Sequence, residues 1–298
     1  MNKRLNIKNK LLFQKNIINK KRVILKSILF LIINYSYIII FKIFKNGKSN
    51  IIMNNKNNIN MKVCICTLGK SENRYIREYV QHYEIYGVDK IFLYDNNDIN
   101  GERFDEVIKD YIDRGFVKIL NWRGEIKAIY KIMNDCYTKN NNNYNWLIFY
   151  ELDEFIHLYK KKSIKEFLGQ KIFAKCQVIY LNFVQHTDNN LLFYENKSLA
   201  LRFPEVEPNA KKKIGVQSIK SIIRGNISKL KINHIHFLSR HLKYCNGFGN
   251  KDKFVNYRQT RPDYKYNYID HYYSKSTEEF INKVNRGDAY NPFLTLFF

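Results

Sequence analysis

Three carboxylates follow a strand-like run that carries no charge. In Trp146-Leu147-Ile148-Phe149-Tyr150-Glu151-Leu152-Asp153-Glu154-Phe155 the first five residues suit a buried central strand, so the acids fall where a sheet opens. Read as extended backbone, in which alternate residues face one way, Glu151 and Asp153 point together while Leu152 packs back. Two oxygen ligands on one side are what a hard divalent cation needs. Mg²⁺ or Mn²⁺ held by few carboxylates completes its shell with water and the phosphates of a substrate. A nucleotide diphosphate is the natural third party. A solvated strand end or a helix N-cap accounts for an acidic trio equally well when the trio is taken alone.

The elements that must position these acids are legible upstream. Met61–Thr67 is a short apolar run of strand type, and from Glu72 to Tyr86 the residues Tyr75, Ile76, Tyr79, Val80 and Tyr83 recur at helical spacing. The pattern repeats as a strand over Lys90–Tyr94, a helix over Phe104–Tyr111, a strand over Phe116–Leu120, a helix over Ile126–Tyr137 and a strand over Tyr144–Tyr150. Such alternation predicts a parallel sheet covered by helices, with ligands outside the carboxyl ends of the strands. Thr67, Asp95 and the 151–154 acids therefore share one crevice. Beyond residue 160 the expected elements are a helix near Ser163–Leu168, strands near Gln177–Asn182, Leu199–Phe203, Ser218–Arg224 and Lys231–Phe237, and a helix over Thr277–Arg286.

Several stretches then occur together in a telling order: Lys70-Ser71-Glu72-Asn73-Arg74-Tyr75-Ile76-Arg77-Glu78, His82-Tyr83, Gly87-Val88-Asp89-Lys90-Ile91, Tyr94-Asp95-Asn96 and Asp153-Glu154-Phe155-Ile156. Near the end come His271-Tyr272-Tyr273-Ser274-Lys275-Ser276, Glu278-Glu279-Phe280, Lys283 and Arg286-Gly287. In this order, over about Val63 to Asp288, the chain resembles the family-92 glycosyltransferases and related family-2-like bacterial sugar transferases of GT-A type. The resemblance implies an α/β, Rossmann-like GT-A domain with a mixed central sheet. It also implies a metal-dependent transfer of a hexose, from a nucleotide diphosphate sugar of the uridine type, to a glycan or glycoprotein acceptor, with inversion. In that family the acidic motif is usually Asp-x-Asp, and this chain has Glu151 in the first place, which shifts the ligand's reach by a methylene. By the same resemblance Thr67, Glu72, Asp95 and Asn96 line the nucleotide pocket, and His271 is the candidate third metal ligand beside Glu151 and Asp153.

Each has a plainer reading: Asp95-Asn96 is ordinary turn chemistry, Glu72 is a first-turn acid favoured by the helix dipole, and His271 a structural histidine. Lys275, Lys220 and Arg224 are candidates to neutralise the leaving diphosphate. Inversion needs a carboxylate to deprotonate the acceptor hydroxyl, and Asp188, Glu205 and Glu207 in the acceptor half are the candidates. His234, His236 and His241 read as structural, having no acidic or cysteine partner beside them. The competing reading of the whole is a catalytically inactive GT-A-like module that binds carbohydrate or nucleotide.

The net charge of +24 invites a nucleic-acid partner, but 15 of the 51 Lys and Arg residues precede Glu72, the first acid, and no accompanying motif appears. No nucleic acid is expected. Five cysteines, an odd number without paired metal spacing, predict neither a disulfide framework nor a zinc site. Residues 1–60 read as a basic extension holding a candidate membrane anchor over 23–44 and an Asn-rich linker, ahead of a catalytic domain over 61–298. The basic residues before the apolar segment predict a single-pass type II arrangement with the domain on the non-cytoplasmic side. A start at Met61 would instead leave the domain cytoplasmic.

Overall fold

A computed structural model describes residues 60–207, 217–233, 241–250, 254–255, 258–259 and 267–287. The candidate anchor and most of the linker lie outside these residues. No helix among the described residues is long and apolar enough to cross a membrane.

The chain opens with β1 (Val63–Gly69), α1 (Asn73–Ile85), β2 (Lys90–Asp95), α2 (Phe104–Asp113), β3 (Val117–Asn121), α3 (Ile129–Asn140) and β4 (Trp146–Ile148). Period-two alternation explains the layering. Val63 and Ile65 of β1, with Trp146 and Ile148 of β4, enter one apolar cluster that α1 and α2 cover. Cys64, Cys66 and Leu147 enter a second, which α3 covers with Ile129, Ile132 and Met133. A sheet buried on both faces needs such apolar strands. Helix α1 buries the five residues its periodicity singled out and ends at Gly87, whose φ of +78° permits the closing bond from Val88 N–H to the Tyr83 carbonyl.

The second half contributes β5 (Glu154–Leu158), α4 (Ile164–Leu168), β6 (Val178–Gln185), α5 (Leu199–Arg202), β7 (Gln217–Arg224), the short β8 (Tyr244–Cys245), β9 (Phe254–Val255) and β10 (Arg258–Gln259), then β11 (Asn267–His271) and α6 (Thr277–Asn285). The main order is β3-β2-β1-β4-β7-β6-β11-β5. β1 to β4 are mutually parallel, β7 runs antiparallel to β4 and to β6, and β11 is parallel to β6 but antiparallel to β5. This is the mixed α/β sheet that the sequence predicts. Five residues, 149–153, join β4 to β5 although three strands lie between them in the order, so the sheet curls and the acidic run sits in the link.

Four expectations need correction. Residues 199–202 form a helix instead of a strand, because the Glu78 carboxylate accepts the Leu199 N–H at 3.0 and 3.1 Å and caps the turn from another element. The predicted strand at 231–237 is absent from residues 231–233, and its remainder, with His234 and His236, lies outside the described residues. His241 sits in an exposed turn. The cysteines do pair: Cys66 with Cys136 ties β1 to α3, and Cys176 with Cys245 ties the entry of β6 to β8, leaving Cys64 free and buried. Sequence spacing hid this because both bonds span about 70 residues. Lastly, 151–154 is a turn, not extended chain, as the Glu154 N–H donates to the Glu151 carbonyl at 3.1 Å.

Candidate metal and nucleotide site

Three neighbours fix the acidic turn. Tyr79 and Tyr83, one helical turn apart on α1, donate hydroxyl hydrogen bonds to the carbonyls of Tyr150 (3.1 Å) and Glu154 (2.8 Å) on either side of it. Gly69 closes β1 against its apex: a Cβ there would lie 2.5 Å from Leu152 Cδ1 and 2.7 Å from Phe104 Cζ.

Because the chain turns, Glu154 joins Asp153 where extended backbone would have placed Glu151. The Glu154 carboxylate folds back to accept the Glu151 N–H at 3.0 Å. Glu151 stays at the rim with its side chain 36% exposed and one oxygen 3.2 Å from the Lys220 ammonium. Antiparallel pairing of β11 with β5 sets His271 opposite Glu154, and parallel pairing with β6 sets it beside Gln185. One ligand atom each from Asp153, Glu154 and His271 then lies within 4.8 Å of the others.

The electrostatics of the three differ. Burial alone would raise the Asp153 carboxyl, but Lys283, Lys275 and His271 outweigh it and hold the group far below the usual carboxylate range. Lys283 Nζ is 2.7 Å from Asp153 Oδ2, and His271 Nε2 is 3.7 Å from Oδ1. Burial pushes Glu154 up to about 8, with Glu151 and Asp153 adding to the rise and Lys220, 3.2 Å away, opposing it. Burial lowers His271 to about 4, so at neutral pH its imidazole keeps a lone pair for a metal. The ionised Asp153 carboxylate and the neutral imidazole offer lone pairs to a divalent cation such as Mn²⁺ or Mg²⁺, and Glu154 would join them on losing its proton. A cation there would share Asp153 with Lys283 or displace it.

Of the other predicted residues, Glu72 and Lys275 reach the site. Lys275 Nζ stands 3.9 Å from Asp153 and 4.0 Å from Glu72. Lys220 serves the acidic turn, its charge favoured by Glu151 and Glu154 against the cost of burial. Thr67 is buried within β1, whereas Asp95 and Asn96, buried at the end of β2, build the loop that follows. Asp95 accepts from Arg123 at 2.8 Å and from Asn97 at 2.7 Å, while the Asn96 amide donates to the Trp122 and Glu125 carbonyls. Arg224 does not join them; it stacks on Trp146 and donates to the carbonyls of Phe173 and Cys176 at the other end of β4. Asp188, Glu205 and Glu207 are exposed on the chain beyond β6, and among the described residues no contact joins their carboxylates to the acidic turn. Asp188 accepts the Asn190 N–H at 3.0 Å, a local turn.

Helix α6 contributes groups that no acidic motif signals. Ser276 and Glu279 form a capping box, and the buried Glu279 binds Arg202 through two contacts of 2.7 and 3.0 Å as well as the Tyr75 hydroxyl. Held this way, α6 delivers Lys283 to Asp153 and Arg286 to Glu72, the latter at 2.6 Å. The signal was available: residues 276, 279, 283 and 286 recur at three- and four-residue intervals, one helical face.

A family model described as Glycosyltransferase family 92 matches residues 59–292. A glycosyltransferase family 92 protein of Ricinus communis is 31% identical over 97 residues, 33% of this chain and 17% of that protein. One of Oryza sativa subsp. japonica is 24% identical over 107 residues, 36% of this chain and 18% of the relative. The matched stretches thus span less than a fifth of the curated relatives' length. Among solved structures, S. aureus TarS 1–349 in complex with UDP aligns with TM-score 0.34 and 11% identity, covering 42% of this chain and 36% of that chain. A UDP-glucose pyrophosphorylase complexed with UDP-glucose aligns with TM-score 0.31 and 10% identity, covering 55% and 76%. Likenesses this slight carry no weight for the ligand.

Proposed function

We propose, from the premise that the chain belongs to glycosyltransferase family 92, that it transfers a hexose from a nucleotide diphosphate sugar, a uridine one, to a glycan or glycoprotein acceptor. The observation that carries this reading is the convergence of Asp153, Glu154 and His271 beside the ammonium groups of Lys275 and Lys283. Those three side chains would hold Mn²⁺ or Mg²⁺, which when bound offsets negative charge on a diphosphate. Lys283 supplies further positive charge for a leaving group that gains negative charge as the bond to the sugar breaks. Tyr79, Tyr83 and Gly69 keep the acidic turn where this charge is needed.

For inversion the acceptor's proton must pass to a carboxylate, and Asp188, Glu205 and Glu207 remain the candidates. Two disulfides within the domain support residence in an oxidising compartment, in keeping with a type II anchor over 23–44. The test is turnover: the full chain with Mn²⁺, a panel of sugar nucleotides and mixed glycan acceptors, read as release of nucleoside diphosphate. Release that depends on the sugar nucleotide and is lost in Asp153→Ala supports the reading, and no release with any donor contradicts it. The alternative, a binding module without turnover, is favoured by Glu151 standing apart at the rim with Lys220. Nucleotide binding without release, unrescued by Glu151→Asp, would decide for it.

A further inference from the structure

Between the first turn of α1 and the last turn of α6 lies a cavity of about 290 Å³ lined by charged side chains. Almost every charge in it is already engaged. Glu72 Oε1 takes Arg286 at 2.6 Å, Glu102 accepts the Asn73 N–H at 2.9 Å, Arg74 donates to Glu278 at 3.0 Å, and Lys283 binds Asp153 at 2.7 Å. Two atoms are left over. Lys275 is only 4% exposed, yet its ammonium lies 3.9 and 4.0 Å from the nearest carboxylate oxygens, beyond hydrogen-bond reach, over the Tyr75 ring. Glu72 Oε2 is buried with no hydrogen-bond partner.

A buried lysine that makes no hydrogen bond, although its ammonium lies within ion-pair distance of Glu72 and Asp153, and a buried carboxylate oxygen without a hydrogen-bond partner, 4.0 Å apart, leave hydrogen-bonding capacity that a ligand can use. The backbone around them is strained as well. Ser71 and Lys275, both lining the cavity, hold φ of +53° and +55°, a left-handed conformation disfavoured for residues other than glycine. Such spending collects where a site is preorganised.

A ligand group that serves both would accept from Lys275 and donate to Glu72. The internal oxygens of a diphosphate carry no proton and would meet the carboxylate's charge; a cation would meet the ammonium; a carbonyl would leave Glu72 unpaired. A hydroxyl does both, since two contacts of about 2.8 Å readily bridge atoms at this separation. We propose that Lys275 Nζ and Glu72 Oε2 form a hydroxyl-reading pair that selects the ligand by one ring hydroxyl of a sugar, in the ribose or in the transferred hexose. The inference rests on the nucleotide-sugar reading of the site, and it gives Lys275 a specificity role in place of neutralising phosphate.

The experiment is isothermal titration of the full chain with UDP, 2′-deoxy-UDP, 3′-deoxy-UDP, UDP-glucose and its singly deoxygenated hexose analogues, repeated on Lys275→Met and Glu72→Gln. One deoxy ligand should bind the parent roughly 10- to 100-fold more weakly than its hydroxylated counterpart, the loss expected when a charged partner is left unpaired. The arm in which this happens assigns the hydroxyl to ribose or hexose. In Lys275→Met the discrimination should fall to within about threefold, with Tm not lowered, because Asp153 and Glu72 keep Lys283 and Arg286. Glu72→Gln also loosens Arg286, so Lys275→Met carries the decision if the glutamine variant unfolds. Binding without any hydroxyl discrimination, or discrimination that survives Lys275→Met, overturns this inference alone. A parent that binds none of the nucleotides overturns the nucleotide-sugar reading with it.

Discussion

Glu279→Gln should unfold the domain more readily by a predictable amount. The Glu279 carboxylate faces Arg202 through contacts of 2.7 and 3.0 Å, and the two side chains are 2% and 1% exposed. Removing its charge strands a guanidinium in the interior, which costs about 3–5 kcal/mol. Proton linkage gives a second figure. Burial would raise this carboxyl, but bonds from Arg202, Ser276 and Tyr75 bring it from 4.5 down to about 2, a depression worth about 3 kcal/mol. A depressed acid contributes stability that is fully present above its unfolded pKa and lost as pH falls from about 4.5 towards 2. At pH 7 the variant should therefore lose about 3–5 kcal/mol in urea unfolding, or about 6–20 °C in Tm for a domain of this size. The gap to the parent should shrink steadily between pH 4.5 and 2, and adding Arg202→Met should restore part of the loss at pH 7. A variant within about 1 kcal/mol of the parent at pH 7, or a gap indifferent to pH, would show that Glu279 does not offset the buried Arg202 charge.

Tyr83→Phe leaves the Glu154 carbonyl and the Ile156 N–H buried without their 2.8 and 3.2 Å partner, so urea unfolding should show a loss of about 1–3 kcal/mol, with weaker UDP binding by titration. Gly69→Ala drives a methyl group towards Leu152 Cδ1, 2.5 Å from the new Cβ, and should shift the acidic turn. UDP affinity should fall while stability drops by about 1–3 kcal/mol, and unchanged affinity would show that the turn does not depend on this contact. Removing the Cys66–Cys136 or the Cys176–Cys245 bond by paired alanines should cost about 2–4 kcal/mol each, and reductant should lower the parent's Tm but not that of a variant lacking both.

Local pattern carried most of the first half of the fold. The helix over Asn73–Ile85 and the parallel strands follow from periodicity because each buries a face against neighbours close in sequence. Legibility ended where a distant residue overruled local preference. Glu78 turned 199–202 into a helix, and the curl of the sheet folded 151–154 into a turn. That turn exchanged Glu151 for Glu154 in the converging set, a swap no pattern of acids alone could reveal. Asp153 and His271 were legible as types at strand ends, whereas Lys283 and Arg286 depended on α6 packing across the chain ends of the site. The disulfides were illegible because pairing over about 70 residues is set by topology, not spacing.

On the proposed function, Asp153 anchors a cation beside a nucleotide diphosphate. Titrating UDP into the full chain with Mn²⁺, and again with chelator, tests it most directly. Binding should be at least about tenfold tighter with Mn²⁺, a difference of about 1.4 kcal/mol, and that difference should disappear in Asp153→Asn. Equal affinity with and without metal in the parent, or a metal effect that survives Asp153→Asn, would contradict it.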